Sequence, residues 1–126
     1  MQKKILIIDD SEETRELVKF TLETEGYKVV EAVDGVNGLR KVQLEPFDLI
    51  ILDFSMPGLD GFSLTEKIRQ SLYAKNVPIL VATAHSKIKE LFQSKGTTNI
   101  QDFLEKPFLP EELIKKVKKL LSDEDK

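Results

Sequence analysis

Cysteine is absent from the 126-residue chain, which excludes disulfide bonds and thiolate metal sites. Long apolar runs are absent too, because the run after Lys3 and Lys4 ends at Asp9, too early for a signal peptide or a membrane span. Basic residues are not in excess: 19 Lys and Arg stand against 22 Asp and Glu, for a net charge of −3. This balance argues weakly against nucleic acid as a direct partner. We therefore expect a cytoplasmic protein without membrane insertion.

The chain instead alternates short β-rich runs with segments of helical period. The runs lie at about 4–8, 28–32, 49–53, 79–83 and 102–105. Three of them are almost continuously apolar, which is typical of parallel strands covered on both faces. Five such βα units with short connections predict a doubly wound α/β sandwich. The chain has no repeat, linker or low-complexity tract, so we expect one domain across residues 1–126.

The helical segments have apolar faces that we expect to pack on the sheet. The spacing places on these faces Thr14, Leu17, Val18 and Thr21 in the first segment, Val36, Leu39 and Val42 in the second, Leu64, Ile68 and Leu72 in the third, Ile88, Leu91 and Phe92 in the fourth, which has the weaker pattern, and Leu113, Ile114, Val117, Leu120 and Leu121 in the fifth. Gly26 is expected to stop the first helix and Pro110 to begin the fifth.

Carboxylates follow two of the predicted strands. Asp9 and Asp10 end the first apolar run and Asp53 ends the third, at the edge of the sheet where open α/β folds collect their ligands. A divalent cation would relieve the repulsion between such close acids, and oxygen ligands without His or Cys favour Mg²⁺ or Mn²⁺ over zinc. A structural alternative exists, since Asp10 and Glu13 match a helix capping box.

A hydroxyl and an ammonium group follow two further strands. Thr83 ends the fourth run, and Lys106 lies between the fifth run and Pro107. Each residue alone is ordinary, since threonine is common in strands and lysine on surfaces. Together with the acids they are hard to obtain by chance, and an ammonium group there can act as a point charge for a phosphoryl group.

With these motifs, the sequence resembles the receiver domains of two-component response regulators. The matching segments are Asp9-Asp10-Ser11, Asp53-Phe54-Ser55-Met56-Pro57-Gly58-Leu59-Asp60-Gly61, Thr83-Ala84 and Phe103-Leu104-Glu105-Lys106-Pro107-Phe108. The resemblance covers essentially the whole chain. It implies one receiver domain with a flavodoxin-like, doubly wound (βα)5 fold and a five-stranded parallel sheet of order 2-1-3-4-5.

The resemblance also implies a phosphorylation-controlled switch in a phosphorelay. Asp53 would accept a phosphoryl group from a phosphohistidine on a sensor histidine kinase or a phosphotransfer protein, and carboxylates are known nucleophiles of this kind. Lys106 would pair with a phosphoryl oxygen, and Thr83 would hydrogen-bond the group once it is attached. No reaction beyond phosphorylation and dephosphorylation of its own Asp53 is implied.

The same resemblance assigns the metal ligands. Asp10 and Asp53 would bind Mg²⁺ directly, Asp9 would act largely through water, and the backbone carbonyl of Ser55 would complete the protein ligands. The side chains of Ser55 and His85 would flank the phosphoryl group and influence its lifetime. For His85 an exposed loop position is the alternative.

Output would come from the face made by the fourth helix, the fifth strand and the fifth helix. Movement of Thr83 would let Phe103 rotate inward, and because Phe103 lacks the hydroxyl of the tyrosine common in relatives, switching would rest on packing. The Lys106–Pro107 bond is expected to be cis. The downstream partner would be another protein, and the chain a monomer or a phosphorylation-dependent dimer.

One loop departs from the family pattern, and two other functions compete. Relatives usually have Gly where Asn99 stands, so either Asn99 forms a left-handed cap or the fourth helix ends earlier, at Gly96. The first competing function is a receiver-shaped interaction module that works without phosphorylation. The second is a Mg²⁺-dependent phosphatase, which would need an acid/base shortly after Asp53, where Phe54 and Ser55 stand instead.

Overall fold

The computed structural model describes residues 2–56, 60–84, 87–95 and 99–124. Strands and helices alternate along the chain: β1 (Lys4–Ile8), α1 (Glu12–Thr24), β2 (Lys28–Ala32), α2 (Gly35–Leu44), β3 (Leu49–Leu52), α3 (Gly61–Gln70), β4 (Ile79–Thr83), α4 (Ile88–Lys95), β5 (Asp102–Glu105) and α5 (Pro110–Glu124). The strands form a parallel sheet of order β2-β1-β3-β4-β5. The predicted fold class and sheet order are confirmed, and only the end of β3 differs, by one residue.

The sheet is covered by helices on both faces. Successive strand residues point to opposite faces, so Ile8 and Leu52 pack on the side of α2 and α3, while Ile7 and Ile51 pack on the side of α1 and α5. All four of these side chains are fully buried. This double coverage explains why β1, β3 and β4 are almost continuously apolar, and it leaves the carboxyl ends of the strands as the place for polar residues.

Four of the predicted core positions are wrong. Leu17 is 41% exposed, Val36 is 71% exposed and Leu91 is 45% exposed, and Leu72 is 76% exposed and lies beyond the end of α3. In α2 the closest approach to the sheet is at Gly38, where the side chain of Ile8 fills the space that a Cβ would take. Because 200° of helical rotation separates positions 36 and 38, that approach turns Val36 to solvent.

Helix α1 is capped by Ser11 rather than by Asp10. The Ser11 hydroxyl accepts a hydrogen bond from the amide of Thr14 at 3.2 Å, while Asp10 is exposed. The alternative interpretation of Asp10 as a helix cap is therefore wrong. The carboxylate of Asp10 does not serve the helix end and is available at the sheet edge.

Ser11→Ala is expected to lower the free energy of unfolding by about 1 kcal/mol, the usual cost of losing an N-cap. Asp10→Ala should show no such loss, because Asp10 does not cap the helix. Urea unfolding in the presence of EDTA measures both. Equal losses in the two variants would contradict the assignment of the cap.

Two predicted helix ends are confirmed. Gly26 has a φ of 96° after the end of α1, and α5 begins at Pro110. Helix α4 ends at Lys95, and no described residue other than glycine has a positive φ, so Asn99 is not a left-handed cap. Pro57 and Gly58 of the matching segment, His85 of the lifetime prediction and Gly96 of the loop prediction lie outside the described residues. Within the described residues, no helix combines the length and apolarity needed to cross a bilayer.

Candidate functional site

Three carboxylates meet at the carboxyl edge of the sheet. Parallel pairing sets Ile8 beside Leu52, and the ladder continues one step further, where the amide of Asp53 donates to the carbonyl of Ile8 at 3.0 Å. This register brings Asp9 and Asp53 side by side. One carboxylate oxygen from each of Asp9, Asp10 and Asp53 lies within 4.8 Å of the others. Asp9 is fully buried and Asp53 is 3% exposed, while Asp10 faces solvent.

Lys106 reaches the two buried acids from the end of β5. Its ammonium group donates to Asp9 Oδ2 at 2.7 Å and to Asp53 Oδ2 at 3.2 Å. Its backbone amide donates to the carbonyl of Thr83 at 2.9 Å, which continues the pairing of β4 with β5 by one residue. The peptide bond from Lys106 to Pro107 is cis, as expected. The structure therefore places the predicted lysine directly on the predicted phosphoacceptor.

Burial and charge oppose each other in this cluster. Burial raises the pKa of Asp9, although hydrogen bonds from Lys106 and from the amide of Ser11 act in the other direction. Burial on its own would lower the pKa of Lys106, but its hydrogen bonds and charge interactions with Asp9 and Asp53 outweigh burial and raise it. Lys106 is thus held as a cation between two acids, and it compensates charge on one side of the cluster.

The donor set suits a hard divalent cation. All three side chains offer oxygen, which Mg²⁺ prefers, and none offers the nitrogen or sulfur that zinc favours. Both oxygens of Asp9 already accept hydrogen bonds, from the Ser11 amide at 2.9 Å and from Lys106. The exposed carboxylate of Asp10 keeps the solvent side of the cluster open.

Ser55 contributes a contact that the sequence analysis missed. Its hydroxyl lies 2.9 Å from the hydroxyl of Thr83, and its amide donates to Asp53 Oδ1 at 2.7 Å. Ser55 had been considered for its backbone carbonyl and for phosphate lifetime. The pairing with Thr83 depends on the alignment of β3 with β4, in which Leu52 lies beside Val81, and no sequence signal reports that alignment.

Thr83 and Phe103 share one cavity. A space of about 300 Å³ lies between α4, β5 and α5, and its further lining residues are Lys89, Leu104, Glu105, Glu112 and Lys116. Thr83 is 4% exposed and Phe103 is half-buried. The two predicted switch residues therefore line the same space.

Comparison with known proteins identifies relatives along nearly the whole chain. The family model of the response regulator receiver domain matches residues 5–118. The chain is 40% identical over 124 residues to the DNA-binding dual master transcriptional regulator RpaA of Synechocystis, covering 98% of this chain and 51% of RpaA. It therefore spans about half the length of such curated relatives.

Solved structures agree in fold. The chemotaxis response regulator CheY4 of Vibrio cholerae has a TM-score of 0.86 and 36% identity, with 96% of this chain and 100% of that one covered. The response regulator TrrA of Thermotoga maritima, in complex with Mg²⁺ and BeF, has a TM-score of 0.83 and 37% identity, with 95% and 100% covered.

Proposed function

The chain belongs to the response regulator receiver domain family, and on that premise we propose that it is a phosphorylation-controlled switch of a two-component phosphorelay. The observation that carries the proposal is the position of Asp53, which lies beside two further acids and under the ammonium group of Lys106. Receiver domains are signalling switches rather than conventional enzymes, so the chemistry proposed here is limited to phosphorylation and dephosphorylation of Asp53. We take residues 1–126 as one receiver domain.

In the proposed reaction, Asp53 attacks the phosphorus of a phosphohistidine on a sensor histidine kinase or a phosphotransfer protein. A bond forms from a carboxylate oxygen of Asp53 to phosphorus, the phosphorus–nitrogen bond of the donor breaks, and the imidazole leaves. Lys106, which now donates to Asp53 Oδ2 at 3.2 Å, would turn to an oxygen of the attached phosphoryl group. It would remain paired with Asp9, so its charge stays compensated.

We propose Mg²⁺ as the cofactor, with Mn²⁺ as a substitute. Asp9, Asp10, Asp53 and the backbone carbonyl of Ser55 would hold it, with Asp9 acting largely through water. When bound, the cation neutralises charge on the phosphoryl oxygens. The donor chemistry of the three carboxylates supports this choice, and the related TrrA carries Mg²⁺ with BeF.

The proposed output is a change in the face formed by α4, β5 and α5. A phosphoryl group adds about −1.5 to −2 charge and three strong acceptors next to Thr83. Thr83 would donate to it, and Phe103 would move within the cavity that both residues line. Another protein would bind this face. The chain would act in the cytoplasm, as a monomer or as a dimer that forms on phosphorylation.

The wild-type chain is expected to gain one phosphoryl group when it is incubated with acetyl phosphate and Mg²⁺, and none when EDTA replaces the metal. The metal requirement follows from the repulsion between the dianionic phosphoryl donor and the acid cluster. Intact-mass spectrometry measures the adduct.

Failure to form the adduct, together with failure to bind Mg²⁺ and beryllofluoride, would overturn the proposal. The chain would then be a receiver-shaped interaction module that works without phosphorylation. An adduct that forms equally well in EDTA would leave phosphorylation of Asp53 in place but would contradict the proposed requirement for Mg²⁺.

A further inference from the structure

A line of contacts connects the proposed phosphoacceptor to the proposed switch residue. Asp53 Oδ1 accepts from the amide of Ser55 at 2.7 Å, and the Ser55 hydroxyl lies 2.9 Å from the Thr83 hydroxyl. The first bond fixes the backbone of Ser55 relative to the carboxylate of Asp53. The second contact links the Thr83 side chain to Ser55, whose backbone is hydrogen-bonded to Asp53.

The contact restricts the conformation of Thr83. A threonine side chain has several staggered rotamers, and a hydrogen bond at 2.9 Å favours the rotamer that keeps the hydroxyl close to Ser55. Thr83 is 4% exposed, so water offers its hydroxyl little competition. The hydroxyl is therefore held beside the side chain of Ser55 before any phosphoryl group is present.

The donor in this pair decides whether the contact helps or hinders the switch. A hydroxyl has one proton to donate and two lone pairs to accept with. A phosphoryl group has acceptors only, so Thr83 needs its own proton for it. If Ser55 donates, Thr83 accepts through a lone pair, and this hydrogen bond can persist when Thr83 donates to the phosphoryl group. If Thr83 donates, its bond to Ser55 must break upon phosphorylation.

We propose that Ser55 is a positioning residue whose hydroxyl donates to Thr83 and thereby orients the Thr83 hydroxyl for the phosphoryl group on Asp53. The inference rests on the proposed function and deepens it. In the phosphorylated state, hydrogen bonds run from Ser55 through Thr83 to a phosphoryl oxygen, and successive bonds of this kind strengthen one another. Ser55 thus couples the modification to the switch residue through its side chain.

A double-mutant cycle with beryllofluoride and Mg²⁺ tests this role. The apparent affinity is read from amide chemical shifts in the wild type, Ser55→Ala, Thr83→Val and the double variant. Ser55→Ala is expected to weaken binding by about 3- to 10-fold, the effect of one hydrogen bond. In the Thr83→Val background, Ser55→Ala should weaken beryllofluoride binding by less than about 2-fold, because the Thr83 hydroxyl that Ser55 contacts is already absent.

Two further variants separate the hydroxyl from other effects. Ser55→Thr keeps the hydroxyl at a half-exposed position and should bind within about 2-fold of the wild type. Thr24→Ala removes a hydroxyl that donates to the Phe20 carbonyl near the end of α1, and it should leave binding unchanged. The Ser55→Thr result distinguishes a hydrogen bond from a purely steric role of the side chain.

The possible outcomes are distinct. Equal losses from Ser55→Ala in both backgrounds would show that Ser55 acts on the phosphoryl group directly and would overturn the inference. Tighter binding by Ser55→Ala would overturn it too, since Thr83 would then be the donor and Ser55 a restraint. A wild-type chain that binds no beryllofluoride would instead remove the proposed function itself, and the inference with it.

Discussion

Asp53→Asn is expected to abolish the phosphoryl adduct that acetyl phosphate and Mg²⁺ produce on the wild-type chain. The amide that replaces the carboxylate has nearly the same shape but no anionic oxygen to attack phosphorus. The surrounding contacts can survive, because the new carbonyl oxygen can still accept from the Ser55 amide and Lys106 keeps its bond to Asp9 at 2.7 Å. The loss should therefore be chemical, with the adduct below detection in intact-mass spectra.

Asp34→Asn is a matched control for this prediction. Asp34 caps α2 by accepting from the amide of Asn37 at 2.8 Å, and asparagine caps a helix about as well as aspartate. The same exchange of atoms at this exposed position should leave the adduct at the wild-type yield. An undiminished adduct on Asp53→Asn, located on another carboxylate by peptide mapping, would show that Asp53 is not the acceptor.

Arg69→Met is expected to lower the free energy of unfolding by about 2–4 kcal/mol, in the range of breaking a partly buried hydrogen-bond network. Arg69, near the end of α3, donates to the carbonyls of Ala74 at 3.0 Å and Asn99 at 2.6 Å, and to Gln101 Oε1 at 2.8 Å. It also donates to the carbonyl of Val77.

The partners of Arg69 explain the size of this effect. Its described acceptors are all neutral carbonyl oxygens, and burial lowers its pKa because these oxygens replace water only in part. The guanidinium holds the segment before β4 against the segment before β5. Gln101 Oε1 also accepts a hydrogen bond from the backbone amide of Ile79 at 2.8 Å. Loss of Arg69 is therefore expected to destabilise the first residues of both β4 and β5.

Urea unfolding of three variants checks the prediction. Arg40→Met removes an exposed arginine from α2 and should change stability by less than about 0.5 kcal/mol. Arg69→Lys keeps the charge but not the fork of donors, so it should recover only part of the loss. If Arg69→Met lowers the free energy of unfolding no more than Arg40→Met does, then water replaces the hydrogen bonds of Arg69 without loss of stability.

The sequence by itself determined the elements and their order. Strands β1, β3 and β4 are short, apolar and bounded by polar residues. Few other amino-acid patterns suit a strand that is buried on both faces. The positions of Asp9, Asp53, Thr83 and Lys106 after strand ends followed from that pattern. So did their assembly at one edge, because parallel strands share a direction.

Only the tertiary structure decided which groups touch. The bond from Lys106 to Asp9 joins residues 97 apart in sequence, and the contact between Ser55 and Thr83 depends on the alignment of β3 with β4. No sequence pattern marks Arg69, because its acceptors at Ala74, Asn99 and Gln101 reach it only in the folded chain. Hydrophobic periodicity specifies which face of an element is buried, but the register and distance between elements arise from packing of the whole core, so pairs of polar atoms cannot be read from it.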